Sequence, residues 1–181
     1  LHSSNENIEN CSTNNVPSEE RSFSNNFSGV FHGKSLEYTA SLKEKILYEK
    51  DNSSEPMASF FYTEYIVESD KNRPVIFSFN GGPGSASLWL HMGVLGPKVI
   101  KVPSDASDDG SAPYKIVDNK LSPLSDADLV FIDPIGTGYS RAIGCHEPEE
   151  FWGVSEDPKI IAEFIRRWIN DNKRWNSQRY N

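Results

Sequence analysis

The stretch FSFNGGPGSASLW, residues 77–89, leads from an apolar run into a loop that holds three glycines and one proline. The run itself, PVIFSF at 74–79, is nearly continuous in apolar side chains, which is typical of a strand covered on both faces in a parallel sheet. A glycine loop at the exit of such a strand allows backbone N–H groups to point at a ligand without obstruction by side chains. The stretch therefore predicts a strand of an α/β fold with a binding loop at its end.

Two phosphate-binding loops are excluded by the residues that follow the glycines. A P-loop requires Gly-x-x-x-x-Gly-Lys-Ser/Thr, and the next lysine in this chain is Lys98. A dinucleotide-binding fingerprint requires Gly-x-Gly-x-x-Gly, whereas GGPGSA, residues 81–86, has proline in the third place and alanine in the sixth. The loop matches neither pattern.

An oxyanion hole is the catalytic use that remains. Ser85 and Ser87 lack the flanking glycines of the nucleophile elbow Gly-x-Ser-x-Gly, so we expect them to cap the following helix. In hydrolases of α/β architecture, one N–H donor of the oxyanion hole lies in a glycine-rich loop after an early strand. Gly82 can bring its N–H close to a developing alkoxide, and the alternative is a tight turn without a ligand.

The hydrophobic pattern predicts the other elements of an α/β protein. Alternating or continuous apolar runs indicate strands at 35–42, 45–50, 57–67 and 128–133, and a short helix is expected at 85–95. Apolar residues at helical spacing predict a helix over 156–172, with Ser155 as its N-cap. Residues 1–28, rich in Asn, Ser and Glu, are interpreted as a disordered tail, which leaves 29–181 as the domain.

Charge and cysteine content exclude several functional classes. A net charge of −8, with no long run of Lys and Arg, argues against a nucleic-acid groove or an anionic membrane patch. No run of 18 or more apolar residues is present, so no membrane span is predicted. Cys11 and Cys145 are far apart and no CxxC pair occurs, so neither a disulfide framework nor a zinc site is expected.

Two motifs, in order, carry a resemblance to a known family. FNGGPGSASLWLHMGVLGP at 79–97 and DADLVFIDPIGTGYSRA at 126–142 closely resemble the serine carboxypeptidases, which show Asn-Gly-Gly-Pro-Gly and then Asp-x-Pro-x-Gly-Thr-Gly-Phe/Tyr-Ser. Residues 151–181 resemble the helix that precedes the family's nucleophile strand, so the likeness covers 33–181. Proline iminopeptidases are a weaker match, because they have His in place of Asn80 and Gln-Arg in place of Pro134-Ile135.

The resemblance implies the N-terminal part of an α/β-hydrolase fold, with a mostly parallel central sheet that is incomplete in this chain. By its place in the motif, Gly82 lends its backbone N–H to the oxyanion, and Asn80 binds the C-terminal carboxylate of the substrate. Gly81 keeps the backbone close to the substrate. Asp133 and the glycines after it are expected to shape the turn that follows a strand rather than to contact substrate.

The residues that perform the chemistry in the family are expected outside this chain. The family's nucleophile lies in Gly-Glu-Ser-Tyr-Gly on the strand after the last helix, and this sequence ends at RWNSQRYN, 174–181, where that strand should begin. The catalytic aspartate and histidine follow later still. His32, His91 and His146 are expected to be structural or solvated. With nucleophile, acid and base all absent, the chain alone is expected to be inactive and to expose an unpaired sheet edge.

We therefore expect the complete protein to be a serine-type carboxypeptidase that hydrolyses the C-terminal peptide bond of peptides and proteins, without a cofactor or metal. Its partners would be peptide or protein C-termini, and its oligomeric state stays open. Members of the family occur in secretory, vacuolar, lysosomal or periplasmic compartments, although no signal peptide is visible here. The alternatives are a catalytically silent peptide-binding module, a fragment without a function of its own, and a peptidase of the proline iminopeptidase type.

Overall fold

A computed structural model of the 181-residue chain describes residues 15–49, 55–68, 72–80, 87–101, 115–151, 156–177 and 179–180. Within these ranges, seven strands form one mixed sheet and two strands form a second sheet. The strands are β1 (Ser22–Phe31), β2 (Lys34–Tyr48), β3 (Pro56–Ile66), β4 (Val75–Ser78), β5 (Lys98–Lys101), β6 (Lys115–Asp118), β7 (Asp128–Ile132), β8 (Arg141–Ala142) and β9 (Arg179–Tyr180). The helices are α1 (Leu88–Leu90), which continues as a π-helical segment at His91–Leu95, and α2 (Glu156–Asp171).

The large sheet has the order β1-β2-β3-β7-β4-β9, and β8 pairs with β3. The pairs β1–β2, β2–β3, β3–β7 and β3–β8 are antiparallel, whereas β4–β7 and β4–β9 are parallel. The prediction of a mostly parallel sheet is therefore wrong for the described residues. Apolar runs locate strands but do not indicate the direction of their neighbours. Strands that follow one another through short turns pair antiparallel, and parallel neighbours need longer crossovers.

β1 lies largely inside the segment predicted to be a disordered tail, so that prediction is wrong for residues 22–28. All ten residues of β1 pair with β2 in continuous register. The turn between the strands consists of His32 and Gly33, whose φ angles of 46° and 77° suit a two-residue hairpin. The Ser- and Asn-rich composition led to the prediction of disorder. The segment is nevertheless a strand, held by backbone pairing with β2 and by the ring of Phe27, which stacks on Tyr38.

One hydrophobic cluster lies on each face of the large sheet. α2 covers one face, where Phe164 and Trp168 pack against aromatic rings of β3 and β4. On the other face, Tyr65 of β3 and Phe131 of β7 contact the segment that follows α1. The bounds of α2 confirm the predicted helix over 156–172, and its predicted cap, Ser155, lies outside the described residues. Within the described ranges, no helix combines the length and apolarity needed to cross a membrane.

Cys145, in the exposed loop after β8, is disulfide-bonded, which corrects the expectation that the cysteines form no disulfide framework. The other cysteine of the chain, Cys11, lies outside the described residues. Next to Cys145, the N–H of Gly144 donates to the Asn15 side chain at 3.0 Å. The start of the described chain is therefore held against the loop after β8.

A buried glutamate links α2 to the sheet beneath it. Glu64 of β3 is 3% exposed, and its carboxylate accepts the indole N–H of Trp168 at 2.8 Å. The Lys43 ammonium lies 2.5 Å from the other carboxylate oxygen. The Trp168 ring also packs edge-on against Phe77, with centroids 5.3 Å apart. Because burial of a carboxylate costs free energy unless it accepts hydrogen bonds, the indole contributes both packing and a donor to the buried carboxylate.

Replacing Trp168 with Phe should destabilise the whole protein, because phenylalanine retains ring packing but leaves Glu64 without one of its two donors. A hydrogen bond to a charged group contributes about 1.5–3 kcal/mol, and we expect the free energy of unfolding in a urea titration to fall by this amount. The matched control is Trp175→Phe, since Trp175 is 55% exposed. Equal losses for the two variants would contradict a specific role for the indole–carboxylate bond.

Candidate active site

The candidate site lies at the carboxyl ends of the parallel strands β4 and β7. Asn80, which is partly buried, follows β4 by two residues, and Asp133 follows β7 directly. The pairing of the two strands continues to the last residue of β4, so both loops leave the sheet at the same edge. The predicted oxyanion donor, Gly82, and its neighbour Gly81 lie outside the described residues. Their roles stay predictions.

The Asp133 carboxylate ties the far end of the glycine stretch to β7. Its Oδ1 accepts the backbone N–H of Ser87 at 2.9 Å, and the Ser87 hydroxyl donates to the carbonyl of Ile132. Since β4 holds the near end of the stretch, both of its ends are fixed to the same pair of strands. The sequence predicts for Asp133 only a role in its own turn. In the sequence, the one indication of the contact with Ser87 is that an acidic residue stands directly after a buried strand.

Ser87 is not available as a nucleophile in this arrangement. The residue is 2% exposed, and its hydroxyl is bonded to a main-chain carbonyl of β7. Ser87 occupies the N-cap position of α1, but its side chain accepts no hydrogen bond from the helix. The prediction that it caps the helix is therefore wrong, because the hydroxyl is directed to the Ile132 carbonyl of β7 and not to the first N–H groups of the helix. Ser85 lies outside the described residues.

The turn after β7 is built around Asp133 and requires a glycine. Gly138 has a φ of 55°, and a β-carbon on it would lie 2.4 Å from Oδ2 of Asp133. Ser140, at the end of the turn, accepts the N–H of Phe61 through its hydroxyl at 2.8 Å and so holds the turn to β3. Any larger residue at 138 would displace the carboxylate that holds the glycine stretch.

The histidines are engaged in packing or surface contacts. His91 stacks on Phe131 with ring centroids 4.6 Å apart, and its Nε2 is hydrogen-bonded to the Tyr65 hydroxyl. Burial lowers the pKa of His91 to about 4, so its ring is neutral near pH 7. His146 is hydrogen-bonded to a nearby glutamate, and His32 lies in the hairpin turn. Within the described ranges, no histidine ring is bonded to a serine, and no three His, Cys, Asp or Glu side chains could hold a metal ion.

β9 lies on the opposite side of β4 from β7. It pairs in parallel with β4, with Val75 opposite Arg179 and Ile76 opposite Tyr180. β4, which leads into the glycine stretch, is therefore flanked by two strands that run in its own direction. Ligand sites of α/β sheets lie at such carboxyl ends, where loops from adjacent parallel strands converge.

A family model described as serine carboxypeptidase matches residues 37–180. The chain belongs to the serine carboxypeptidase family. The matched region contains both motifs, Asn80 and Asp133, and all of the strands from β3 to β9. The resemblance drawn from the two motifs is thus confirmed. β1 lies before the matched region, so the family pattern gave no indication of that strand.

Individual family members show the same relationship over part of their length. Serine carboxypeptidase-like 9 of Arabidopsis thaliana is 33% identical over 119 residues, which cover 64% of this chain and 25% of that protein. Serine carboxypeptidase-like 11 and serine carboxypeptidase-like 2 of the same plant are 29% and 30% identical over 70% and 68% of this chain, and 28% and 27% of their own lengths. The chain thus spans about a quarter of the length of these curated relatives.

Asp133→Asn should change how the stability of the whole protein depends on pH. Burial raises the pKa of Asp133, and hydrogen bonds from Ser87 offset only part of that effect. The folded state therefore binds a proton more tightly than the unfolded chain does, and the stability that this carboxyl contributes is lost as pH rises through its raised pKa. We expect the free energy of unfolding of the wild type, relative to that of the variant, to rise as pH falls from about 7 to about 4.

Asp126→Asn is the control of opposite sign for this measurement. Hydrogen bonds from Lys34 and Ser125 lower the pKa of the exposed Asp126. Stability contributed by this group is present above its unfolded pKa and is lost as pH falls. The difference in free energy of unfolding between wild type and variant, measured by urea titration at several pH values, should therefore change with pH in opposite directions for Asp133→Asn and Asp126→Asn. Slopes of the same sign would show that burial does not control the titration of Asp133.

Proposed function

We propose that the whole protein is a serine-type carboxypeptidase with an α/β-hydrolase fold, which hydrolyses the C-terminal peptide bond of peptides and proteins. The observation that carries this proposal is that the Asn-Gly-Gly-Pro-Gly sequence follows β4, a strand flanked by two strands that run parallel to it. Family membership supports the reaction class. An oxyanion loop and a nucleophile on adjacent strands are what acyl transfer in this fold requires.

In this proposal, Gly82 supplies a backbone N–H to the oxyanion of the tetrahedral intermediate, and Gly81 keeps the main chain close to the scissile carbonyl. Neither glycine presents a side chain that could obstruct the approach of substrate. Removal of one oxyanion donor typically costs about 2.7–4 kcal/mol of transition-state stabilisation. The bond between Asp133 and Ser87 supports this role, because it attaches the first described residue after the glycines to the end of β7.

The nucleophilic serine is proposed to come from residues that follow β9 in the whole protein. In the register that places Ile76 opposite Tyr180, each further residue of the strand would lie beside the next residue of 77–80. The serine would then emerge next to the glycine stretch. A histidine would take its proton as it attacks the carbonyl and would return that proton to the leaving amine, while an aspartate orients the histidine. All three groups would be supplied by later parts of the protein.

Asn80 is proposed to provide selectivity for a free C-terminus. Its carboxamide NH₂ can donate to a carboxylate without adding a charge of its own, and the residue lies directly before the oxyanion loop. A carboxylate bound there would place the last peptide bond of the substrate over Gly82. Peptide and protein C-termini are accordingly the proposed substrates.

Asn80→Ala in the whole protein should raise KM for peptides with a free C-terminus by about tenfold or more, because a hydrogen bond to a charged group is lost. KM for the same peptides with an amidated C-terminus should change far less, and kcat should be nearly unchanged. Asn26→Ala, at an exposed position of β1, is the matched control and should alter neither value. Equal effects of Asn80→Ala on free and amidated peptides would exclude the carboxylate role.

A serine-directed fluorophosphonate distinguishes the proposed enzyme from the alternatives. The whole protein should be labelled and should release single C-terminal residues, whereas residues 1–181 expressed alone should not be labelled. Release of N-terminal residues instead would favour a peptidase of the proline iminopeptidase type. A whole protein that binds peptide C-termini but is neither labelled nor hydrolytic would be a silent binding module, and the proposal would then be wrong.

A further inference from the structure

A buried arginine in the turn between α2 and β9 bonds to a residue of its own turn and to two other segments. Arg174 is 6% exposed, and its Nε donates to the Ser177 hydroxyl at 2.8 Å. One terminal nitrogen donates to Oδ2 of Asp128, the first residue of β7, at 2.8 Å. The other donates to the main-chain carbonyl of Arg73, two residues before β4, at 2.6 Å. The guanidinium therefore connects the approach to β9 with the starts of β7 and β4.

Asp128 is the acceptor at the centre of this arrangement. Its carboxylate is fully buried and accepts the Val67 backbone N–H at 3.0 Å as well as the side chains of two arginines, Arg174 and Arg73. Arg73 also donates to the carbonyl of Leu124 at 2.7 Å. We call Arg174, Asp128, Arg73 and Ser177 the Arg174 clamp. Each donor and acceptor in it comes from the amino-terminal edge of the sheet.

The clamp joins the starts of the three strands whose opposite ends form the candidate site. β7 leads to Asp133, β4 leads to Asn80, and β9 is the strand proposed to lead to the nucleophile. The relative register of these strands is set by their backbone pairing and by contacts at their starts. Ser177 lies two residues before β9, so the clamp holds the chain close to the point where that strand begins.

Register at this position decides where a later residue of the strand arrives. A slip of one residue moves a strand by about 3.3 Å and turns every following side chain to the other face of the sheet. Catalytic groups must be held within about 0.5 Å of their productive positions. Contacts at the start of β9 therefore bear on the position of every later residue of that strand.

We propose that Arg174 is a positioning residue: through Asp128 and the start of β4, it fixes the register in which β9 delivers the nucleophile beside the glycine stretch. This inference rests on the proposed function. Arginine is required because its planar fork reaches three acceptors in different directions, whereas a lysine at this position keeps the charge and loses the fixed geometry.

The test compares Arg174→Lys with Arg21→Lys in the whole protein. Arg21 also bonds a buried glutamate, with its Nε 2.7 Å from Oε2 of Glu44, but it lies directly before β1, at the opposite end of the strand order from β9. For Arg174→Lys, kcat should fall by about tenfold or more, since small displacements of reacting groups cost this much. Its KM should stay within about twofold, because Asn80 is held by β4. Arg21→Lys should leave both constants within about twofold.

The outcomes separate the clamp from the proposed function. A lower melting temperature for Arg174→Lys with an unchanged kcat would reduce Arg174 to a structural role and overturn the inference. If Arg174→Lys does not fold, Ser177→Ala removes one contact of the clamp and should lower kcat with KM unchanged; a wild-type kcat would overturn the inference.

If the wild type itself neither hydrolyses peptides nor reacts with a fluorophosphonate, the proposed function fails. In that case, hydrogen exchange of the backbone amides of residues 179–180 tests the inference about Arg174 by itself. Faster exchange in Arg174→Lys than in Arg21→Lys supports the inference, and equal rates overturn it.

Discussion

The parallel pairing of β4 with β7 is the constraint on which the candidate site depends. The two strands are separated by the 49 residues 79–127, yet their pairing from Val75↔Asp128 to Ser78↔Phe131 brings the loops after them to one edge of the sheet. Asp133 can bind the backbone of Ser87 only because the strands end side by side. The glycine stretch is consequently attached at both ends to one rigid pair of strands, which is the support that a preorganised backbone donor needs.

Buried carboxylates, through their hydrogen bonds, also hold separate elements of the structure together. Asp128, Glu44 and Glu64 are each at most 3% exposed, and each accepts hydrogen bonds from at least one basic side chain. A buried charge without partners costs several kcal/mol, so each carboxylate restricts the positions that its donors can adopt. Burial alone would raise the pKa of Glu44, but hydrogen bonds from Arg21 and Ser59 outweigh it and hold the pKa below its usual value. Glu44 thus links the chain before β1 to β2, Glu64 links α2 to β3, and Asp128 links the turn before β9 to β7.

The sequence predicts the elements that bury apolar side chains and fails where polar residues determine the structure. Strand β3 and helix α2 lie within one residue of the predicted ranges 57–67 and 156–172, because hydrophobic periodicity reflects burial directly. β1 was missed because its Ser and Asn residues pair with β2 through the backbone, and backbone pairing produces no hydrophobic pattern in the sequence. The position of Asn80 at a strand end was predictable from its motif. The contacts of Asp133 with Ser87 and of Asp128 with Arg174 were not, since each joins residues 46 positions apart and depends on which strands become neighbours.

The contiguous arrangement of β1, β2 and β3 has a consequence for synthesis on the ribosome. All three strands lie within residues 22–66 and pair with their nearest neighbours in sequence, so the meander can form as soon as those residues emerge. The outer edge of β3 must wait for β7, which begins at Asp128, 62 residues after the last residue of β3. At a translation rate of about 5–20 residues per second, this edge is unpaired for roughly 3–12 s. The nascent chain thus carries an apolar strand with an open edge during that interval, and such an edge favours aggregation.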